Sequence, residues 1–299
     1  MNQNFEFNIK NIKNISLAEK KSRENDLKLF REKGFPNKNL EEWKFTDLNK
    51  IINDNFEELK LNNDNKNEHI ELIKDFEHNS IVLINGFLKS KNFKYENEKK
   101  IKISDYKCDQ KKNNDESNNS LINLNNALFE GGYFLEVSSD YKFNKPIIVY
   151  NYFLNNLKNT IVNNKNLIIL NENSDLNMIE FNSDISKNNF IHNNCTDITI
   201  SKNASLTNYA IQGSKSNCFY YKFVKCNLNK KSKYEDYIFL SGLKFSRTEE
   251  DINIAGEEAN CVIQSALYLD SESHQEVKTK LNHLKPNCKS YQKIKNVLN

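Results

Sequence analysis

Glycine and proline are scarce in this chain of 299 residues, which has seven of one and three of the other. Arginine is scarcer still: Arg23, Arg31 and Arg247 are the only three among 43 basic residues, whereas asparagine occurs 53 times. Lys, Asn and Ile use AT-rich codons, and Gly, Pro, Arg and Ala use GC-rich ones. The bias therefore reads as genomic drift, and Asn-rich stretches such as Asn62-Asn63-Asp64-Asn65-Lys66-Asn67 read as solvated turns rather than prion-like tracts. A glycine or proline kept against that drift is more informative than usual.

Long apolar runs are missing as well. Mean hydropathy is −0.77, and the longest runs, Ile81–Ile84 and Leu167–Leu170, are strand-sized, far short of the roughly 18 residues a membrane span needs. The N-terminal stretch has no apolar signal region, and Glu6, Glu19 and Glu24 argue against a transit peptide. A net charge of +3 is too small to suggest a nucleic-acid footprint. The expectation is a soluble, cytoplasmic protein with neither a nucleic acid nor a membrane as partner.

Chemical motifs are absent in turn. The six cysteines (Cys108, Cys195, Cys218, Cys226, Cys261, Cys288) form no C-x-x-C pair, and they read as small core residues in a reducing compartment. The five histidines (His69, His78, His192, His274, His283) form no H-x-x-H, H-E-x-x-H or H-x-H. No phosphate-binding loop, dinucleotide fingerprint or G-x-S-x-G elbow occurs, and Gly131-Gly132 reads as a plain turn. No catalytic, cofactor-binding or metal-binding residue is assigned, and no stably bound cofactor is expected.

What is present is a change of pattern near residue 80. Before it the chain reads as helical. Ser16 with Glu19 makes a capping box ahead of Leu17, Leu27 and Phe30, and Gly34 with Phe35-Pro36 ends that helix. A second helix follows Thr46-Asp47, with Leu48, Ile51, Ile52 and Phe56 at helical spacing, and a third is expected over Glu68 to Phe76. After it come strands: Ile81–Ile84 closing on Asn85-Gly86, a polar loop over residues 109–119, then Tyr133–Val137 and Pro146–Tyr152. The boundaries expected are a helical region at 1–79, transitional strands and a polar loop at 80–119, and a β-helix core at 120–299, incomplete at its C-terminal end.

The most informative feature is an internal repeat. Leu167–Leu176 aligns with Asp197–Leu206 at an offset of 30 residues, so that Leu170 meets Ile200, Ser174 meets Ala204 and Leu176 meets Leu206. Further copies run Leu228…Ser232…Tyr234 and Ile254…Ala259…Cys261, with Ala255-Gly256 in the turn. Each unit is strand, polar turn with one small residue, strand. Such units stack into a solenoid, in which each coil buries its inner face against its neighbours. The fold class expected is mainly β: a right-handed parallel β-helix (β-solenoid) preceded by a small N-terminal helical region. Inward positions should be Leu, Ile, Val, Phe, Cys and Ala, with Asn and Lys outside. Stacking could bring Cys261 near Cys288, 27 positions on, with His283 beside them, the one loophole in the expectation that no ligand set forms. Glu172, Asp175, Glu180 and Asp184 do not repeat at the coil period, which weakens a carbohydrate-active β-helix enzyme as an alternative. A purely structural solenoid for protein contacts is the other.

Gly34-Phe35-Pro36 followed by Glu41-Glu42-Trp43-Lys44-Phe45-Thr46-Asp47-Leu48 resembles a signature of the form G-F-P-x-x-x-x-E-E-W-K-[FY]-T in the SufB/SufD family of iron–sulfur cluster assembly proteins. Leu124-Asn125-Asn126-Ala127-Leu128-Phe129-Glu130-Gly131-Gly132 is similar to the family's L-N-x-A-F-F-x-x-G segment. Gly256-Glu257-Glu258-Ala259, His274, His283 and Ser290…Lys295-Asn296-Val297-Leu298 resemble its later stretches. The tryptophan motif favours the SufD branch over SufB. The resemblance implies a non-catalytic scaffold subunit with a SufB-like paralogue and a SufC-like ABC ATPase as partners, the ATPase through a C-terminal domain outside this sequence. It also implies an iron–sulfur cluster assembled transiently on the full complex. The family's cluster-assembly residues lie beyond residue 299, so none is carried over.

Overall fold

The computed structural model describes residues 5, 7–9, 12, 15–62, 70–108, 117–154, 156–212, 215–270 and 273–298. Helix α1 (Leu17–Lys33) starts where the capping box places it, with the Glu19 amide donating to Ser16 Oγ at 3.1 Å. It stops at Gly34, whose φ of 67° lies in the left-handed region. Leu27 and Phe30 are buried, but Leu17 is 88% exposed, because the first turn projects beyond the packed face. Helix α2 (Leu48–Asn55) is capped by Asp47 and buries Leu48 and Ile52.

Strand β1 (Lys60–Leu61) comes next. No third helix follows: residues 70–76 are non-helical, while Glu68 and His69 lie outside the described residues. Ile70, Leu72 and Ile73 instead pack against Val82, Ile148 and Tyr150. Their i, i+2, i+3 spacing suits a strap over a sheet as well as a helix, and the sheet offers more apolar surface. Strands β2 (Asn79–Ile84) and β3 (Phe87–Asn92) form the expected hairpin on Asn85-Gly86, both at positive φ. Strand β4 (Ile101–Asp105) follows, then a helix the sequence did not announce, α3 (Ser120–Leu128), packed against α1. Residues 109–116 of the expected polar loop lie outside the described residues.

From Tyr133 onward the chain is a β-solenoid. After β5 (Tyr133–Val137) and β6 (Ile147–Phe153), strands alternate between two faces. One face carries β7 (Thr160–Leu170), β9 (Phe190–Ile200), β11 (Ser216–Leu228), β13 (Leu243–Ile254) and β15 (His274–His283). The other carries β8 (Asp175–Asp184), β10 (Ser205–Gln212), β12 (Lys233–Leu240), β14 (Asn260–Leu269) and β16 (Lys289–Leu298). The result is two eight-stranded sheets in the orders β15-β13-β11-β9-β7-β5-β4 and β16-β14-β12-β10-β8-β6-β2-β3, with β1 beside β7 in the first. Antiparallel β3 and β4 finish the two sheets at the end opposite β16 and β15.

The register matches the repeat read from the sequence: Leu170↔Ile200↔Leu228↔Ile254 in one sheet and Leu176↔Leu206↔Tyr234↔Cys261 in the other. The small turn residues Ser174, Ala204, Ser232 and Ala259 are each 1% exposed, where a larger side chain would push neighbouring coils apart. At one end of the coils each turn holds one left-handed residue, giving a column through Asp140, Asn173, Asn203, Lys231, Glu258 and Asn287 with φ of 56–61°. Its amides donate to the next coil, Asn173 to Lys202 O and Asn203 to Lys230 O at 3.0 Å each. Asn tolerates this backbone region better than most residues, so drift toward Asn served the turns here. Gly256 is fixed by proximity, since a Cβ there would lie 1.9 Å from Lys230 N.

Candidate functional site

The helices cover the outer face of the sheet that holds β7, β9, β11 and β13. Phe30, Phe35, Trp43, Leu48, Ile52, Phe56, Leu124 and Leu128 pack on Ile161, Ile191, Phe219, Tyr221 and Phe245, which belong to four successive coils. From α3, Asn125 Nδ2 donates to Asn164 O and Asn193 O at 2.9 Å each, pinning two neighbouring coils with one amide. That explains the asparagine of the L-N-x-A segment. Its glycines close the same joint: Gly132 has φ +120°, and a Cβ there would sit 1.9 Å from Lys165 O. The plain-turn reading of Gly131-Gly132 thus becomes a close backbone approach.

The tryptophan motif ends in a charged clamp. The Arg247 guanidinium lies 3.8 Å from the Trp43 ring centroid. Its Nη2 donates to Glu42 O at 2.6 Å, Nε donates to Glu249 Oε1 at 2.6 Å, and Nη1 pairs with Glu276. Thr46 Oγ1 contacts His274 Nε2 at 2.9 Å and donates to Glu276, and Lys278 pairs with Glu42. Two motifs more than 200 positions apart, Glu41–Leu48 and His274, are therefore one structure. Arg247, buried and stacked on an indole, uses the planar donor fork that lysine lacks.

Burial alone would raise the Glu276 carboxyl, but hydrogen bonds from His274 and Thr46 and the Arg247 charge outweigh it and bring its pKa to about 2. A carboxylate depressed from an ordinary 4.5 to about 2 stabilises the fold above the unfolded value and loses that contribution as pH falls through about 2. The stability gap between wild type and Glu276→Gln is expected to reach roughly 2–3 kcal/mol near pH 6. It should close progressively below pH 4.5. Urea titrations followed by Trp43 fluorescence measure it, and a gap that does not vary with pH would remove the clamp's electrostatic role.

The interior overturns the expectation that Asn and Lys stay outside. Residues in the inward phase of the strands form an apolar core toward the tight turns, from Leu170 and Leu176 to Ile254 and Cys261. Farther from the turns, the same phase turns polar: Asn164, Asn166, His192, Asn194, Lys222, Ser246, Thr248 and Glu250 on one sheet, and Glu180, Asn182, Asn208, Asp236 and Ser265 on the other, all buried. Lys222 Nζ sits 2.9 and 2.8 Å from the two Glu180 oxygens. Asn208 Nδ2 bridges Glu180 and Asp236 at 3.1 and 2.9 Å, and Asn166 Nδ2 reaches Asn194 and Thr196. Burial opposes the Lys222 charge, but Glu180 outweighs it and keeps the ammonium protonated. His192 is held neutral, its pKa pushed to about 3 by burial and then by Lys222.

Asp236 and Glu250 face each other across this seam. Among the described residues no hydrogen-bond donor reaches either Glu250 oxygen or Asp236 Oδ2. Burial, then the Asp236 carboxyl, pushes Glu250 well above the usual carboxylate range. Both effects penalise the charged form, so the neutral acid is the favoured state of Glu250. Amide substitutions should then have opposite consequences at pH 7. Glu180→Gln leaves a buried ammonium unpaired and is expected to cost on the order of 3 kcal/mol. Glu250→Gln replaces a neutral acid by a neutral isostere and is expected to lie within about 0.5 kcal/mol of wild type, or above it. Chemical denaturation of both variants checks this, and equal losses would contradict the protonation assigned to the seam.

The remaining sequence candidates are dispersed. Cys226 and Cys261 are buried inside the solenoid and Cys195 and Cys218 are also buried, while Cys108 is half-buried with its pKa pushed to about 11 by burial. The 27-residue offset does not put Cys288 opposite Cys261: Ser290 is in register with Cys261. The Cys288 thiol donates to Gly256 O at 3.1 Å in the turn, and His283 contacts Ser290 Oγ. His78 contacts the Tyr150 hydroxyl at 2.9 Å, and His69 lies outside the described residues. Among the described residues no three His, Cys, Asp or Glu side chains converge as metal ligands. No helix among them is long and apolar enough to cross a membrane.

Comparison with known families fits this geometry. Residues 3–149 match the SufBD protein N-terminal region. Residues 152–299 match the SufBD core domain of SUF system FeS cluster assembly. No curated protein matches the chain significantly. With the two family matches together spanning almost all of the sequence, and with motif residues from both halves joined in one clamp, the chain belongs to the SufB/SufD family of the SUF iron–sulfur cluster assembly system.

Proposed function

We propose that the chain is a SufD-like, non-catalytic scaffold subunit of the cytoplasmic SUF machinery, working with a SufB-like paralogue and a SufC-like ABC ATPase. The cluster is cargo of the whole assembly and is not held stably by this subunit. The observation that carries the SufD-like reading is the Trp43 motif, which the fold uses as one half of a buried clamp. A residue committed to holding the helical region on the solenoid belongs to a rigid support. The solenoid interior is filled by side chains and supplies a frame on which partner subunits can be arranged.

Co-expression with SufB-like and SufC-like subunits of the same source tests this. A stoichiometric complex that gains a visible cluster absorbance on anaerobic reconstitution with iron and sulfide is the expected result. Failure to co-purify with the SufB-like subunit would overturn it. So would ATP hydrolysis by the chain alone, or a cluster on the chain alone that survives desalting.

A further inference from the structure

The outward face of the second sheet carries two parallel apolar rows, and the strap of residues 70–78 covers only their beginning. One row runs Val82↔Tyr150↔Phe181↔Ile211↔Phe239 across β2, β6, β8, β10 and β12. The other runs Ile148↔Ile179↔Tyr209↔Tyr237. Over the first coils, Ile70, Leu72 and Ile73 pack on the cluster of Val82, Ile84, Ile148, Tyr150 and Leu154, against which Ile179 and Phe181 also pack. The strap's backbone is tied to tyrosine hydroxyls: the Ile73 amide donates to Tyr150 Oη at 3.2 Å, and Tyr152 Oη donates to Glu71 O at 2.8 Å.

Beyond the strap the same rows continue without it. Tyr209 is 37% and Phe239 45% exposed, and the Tyr209 and Tyr237 rings stack at 5.0 Å, presenting two hydroxyls side by side. Solvated sheet faces normally alternate toward polar residues, so neighbouring aromatic and aliphatic rows are out of place there. Both rows end in cations, because Phe239 pairs with Ala266 and then Lys295, and Tyr237 with Gln264 and then Lys293.

We propose that this open strip binds an extended segment of a partner chain. That segment has apolar side chains at the strap's spacing, backbone groups for the Tyr209 and Tyr237 hydroxyls, and acidic residues at its β16 end. The argument is continuity: the strap is a working example, in the same rows, of the ligand such a surface accepts. Its own sequence, Ile70-Glu71-Leu72-Ile73-Lys74-Asp75-Phe76, already combines apolar residues with the acidic Glu71 and Asp75. The Lys293 and Lys295 pair sets the direction, because an acidic end is favoured only over β16.

A fluorescein-labelled peptide of residues 70–78, added to the full chain, is the probe, read by anisotropy. Saturable binding is expected, weakened at least tenfold by Phe239→Glu and at least threefold by Lys293→Glu combined with Lys295→Glu. A peptide with Ile70, Leu72, Ile73 and Phe76 replaced by Ser should not bind. The Phe239→Glu variant keeps its fold if its urea midpoint is unchanged, as an exposed site predicts. Absence of binding, or binding indifferent to Phe239→Glu, overturns the proposal. So does light scattering that shows a dimer dissociated by Phe239→Glu, since the occupant would then be a second copy of this chain.

Discussion

Leu206→Asp is expected to abolish or nearly abolish cooperative folding. Leu206 is fully buried between Leu176 and Tyr234 in adjacent coils, within the apolar part of the interior. A carboxylate there meets no cation, and Lys222 is already committed to Glu180. Burying it unpaired costs several kcal/mol, with the lost leucine packing added to that. Total stability of a domain is only about 5–15 kcal/mol, so the loss takes most of it. Leu176→Asp and Cys261→Asp sit in the same register and should behave alike. Lys202→Ala, in the exposed turn of the same coil, should shift the midpoint by less than about 0.5 kcal/mol. Urea unfolding followed by circular dichroism separates the two classes, and similar midpoints would invalidate the register.

Arg247→Ala is expected to detach the helical region from the solenoid. The guanidinium neutralises the largely buried Glu249 and Glu276, holds Glu42 O and stacks on Trp43. Its removal leaves two carboxylates short of a cation, a loss on the order of 5 kcal/mol. Arg247→Lys recovers charge without the fork or the stacking and should restore less than half. Trp43 is the only tryptophan, so a red-shifted emission reports the release directly, and protease cleavage within residues 35–47 reports it independently. An unshifted emission with normal stability would show that the clamp is ornamental.

The coils were legible because two periodicities coincided. Alternation along each strand and a turn with one small residue recur at nearly constant offset, and drift could not erase Leu170, Ile200, Leu228 and Ile254 without opening the core. The polar interior was hidden because composition alone cannot tell an inward Asn from a solvated one. A phase argument would have found Lys222, which keeps step with Val224, Cys226 and Leu228 and not with Phe223, Lys225 and Asn227. Helix α3 escaped because Asn123, Asn125 and Asn126 are weak helix formers, offset here by packing on α1 and by the Asn125 bonds to the solenoid. The strap was misread because an apolar spacing of two and three residues fits both a helix and an extended cover.

The arginines carried a signal as informative as glycine. Each of the three donates to a backbone carbonyl in the part of the chain that precedes the solenoid: Arg23 to Ala127 O and Phe129 O, Arg31 to Phe7 O, and Arg247 to Glu42 O. In a chain drifting toward lysine, a retained arginine marks a place where a flexible ammonium does not suffice.

Strand pairing in the solenoid has a kinetic consequence. From β8 to β14 each strand hydrogen-bonds only to the strands one coil before and one coil after, so closing one of these coils orders about the same loop length as closing the next. Folding can then start at any coil and spread along the stack in small steps, which lowers the barrier usually met by all-β topologies. The helices change that picture on one side: by touching Ile161, Ile191, Phe219 and Phe245 together they tie four coils into a single cooperative block. Amide exchange should therefore be slowest, and nearly uniform, from β7 to β13, and should quicken coil by coil toward β16.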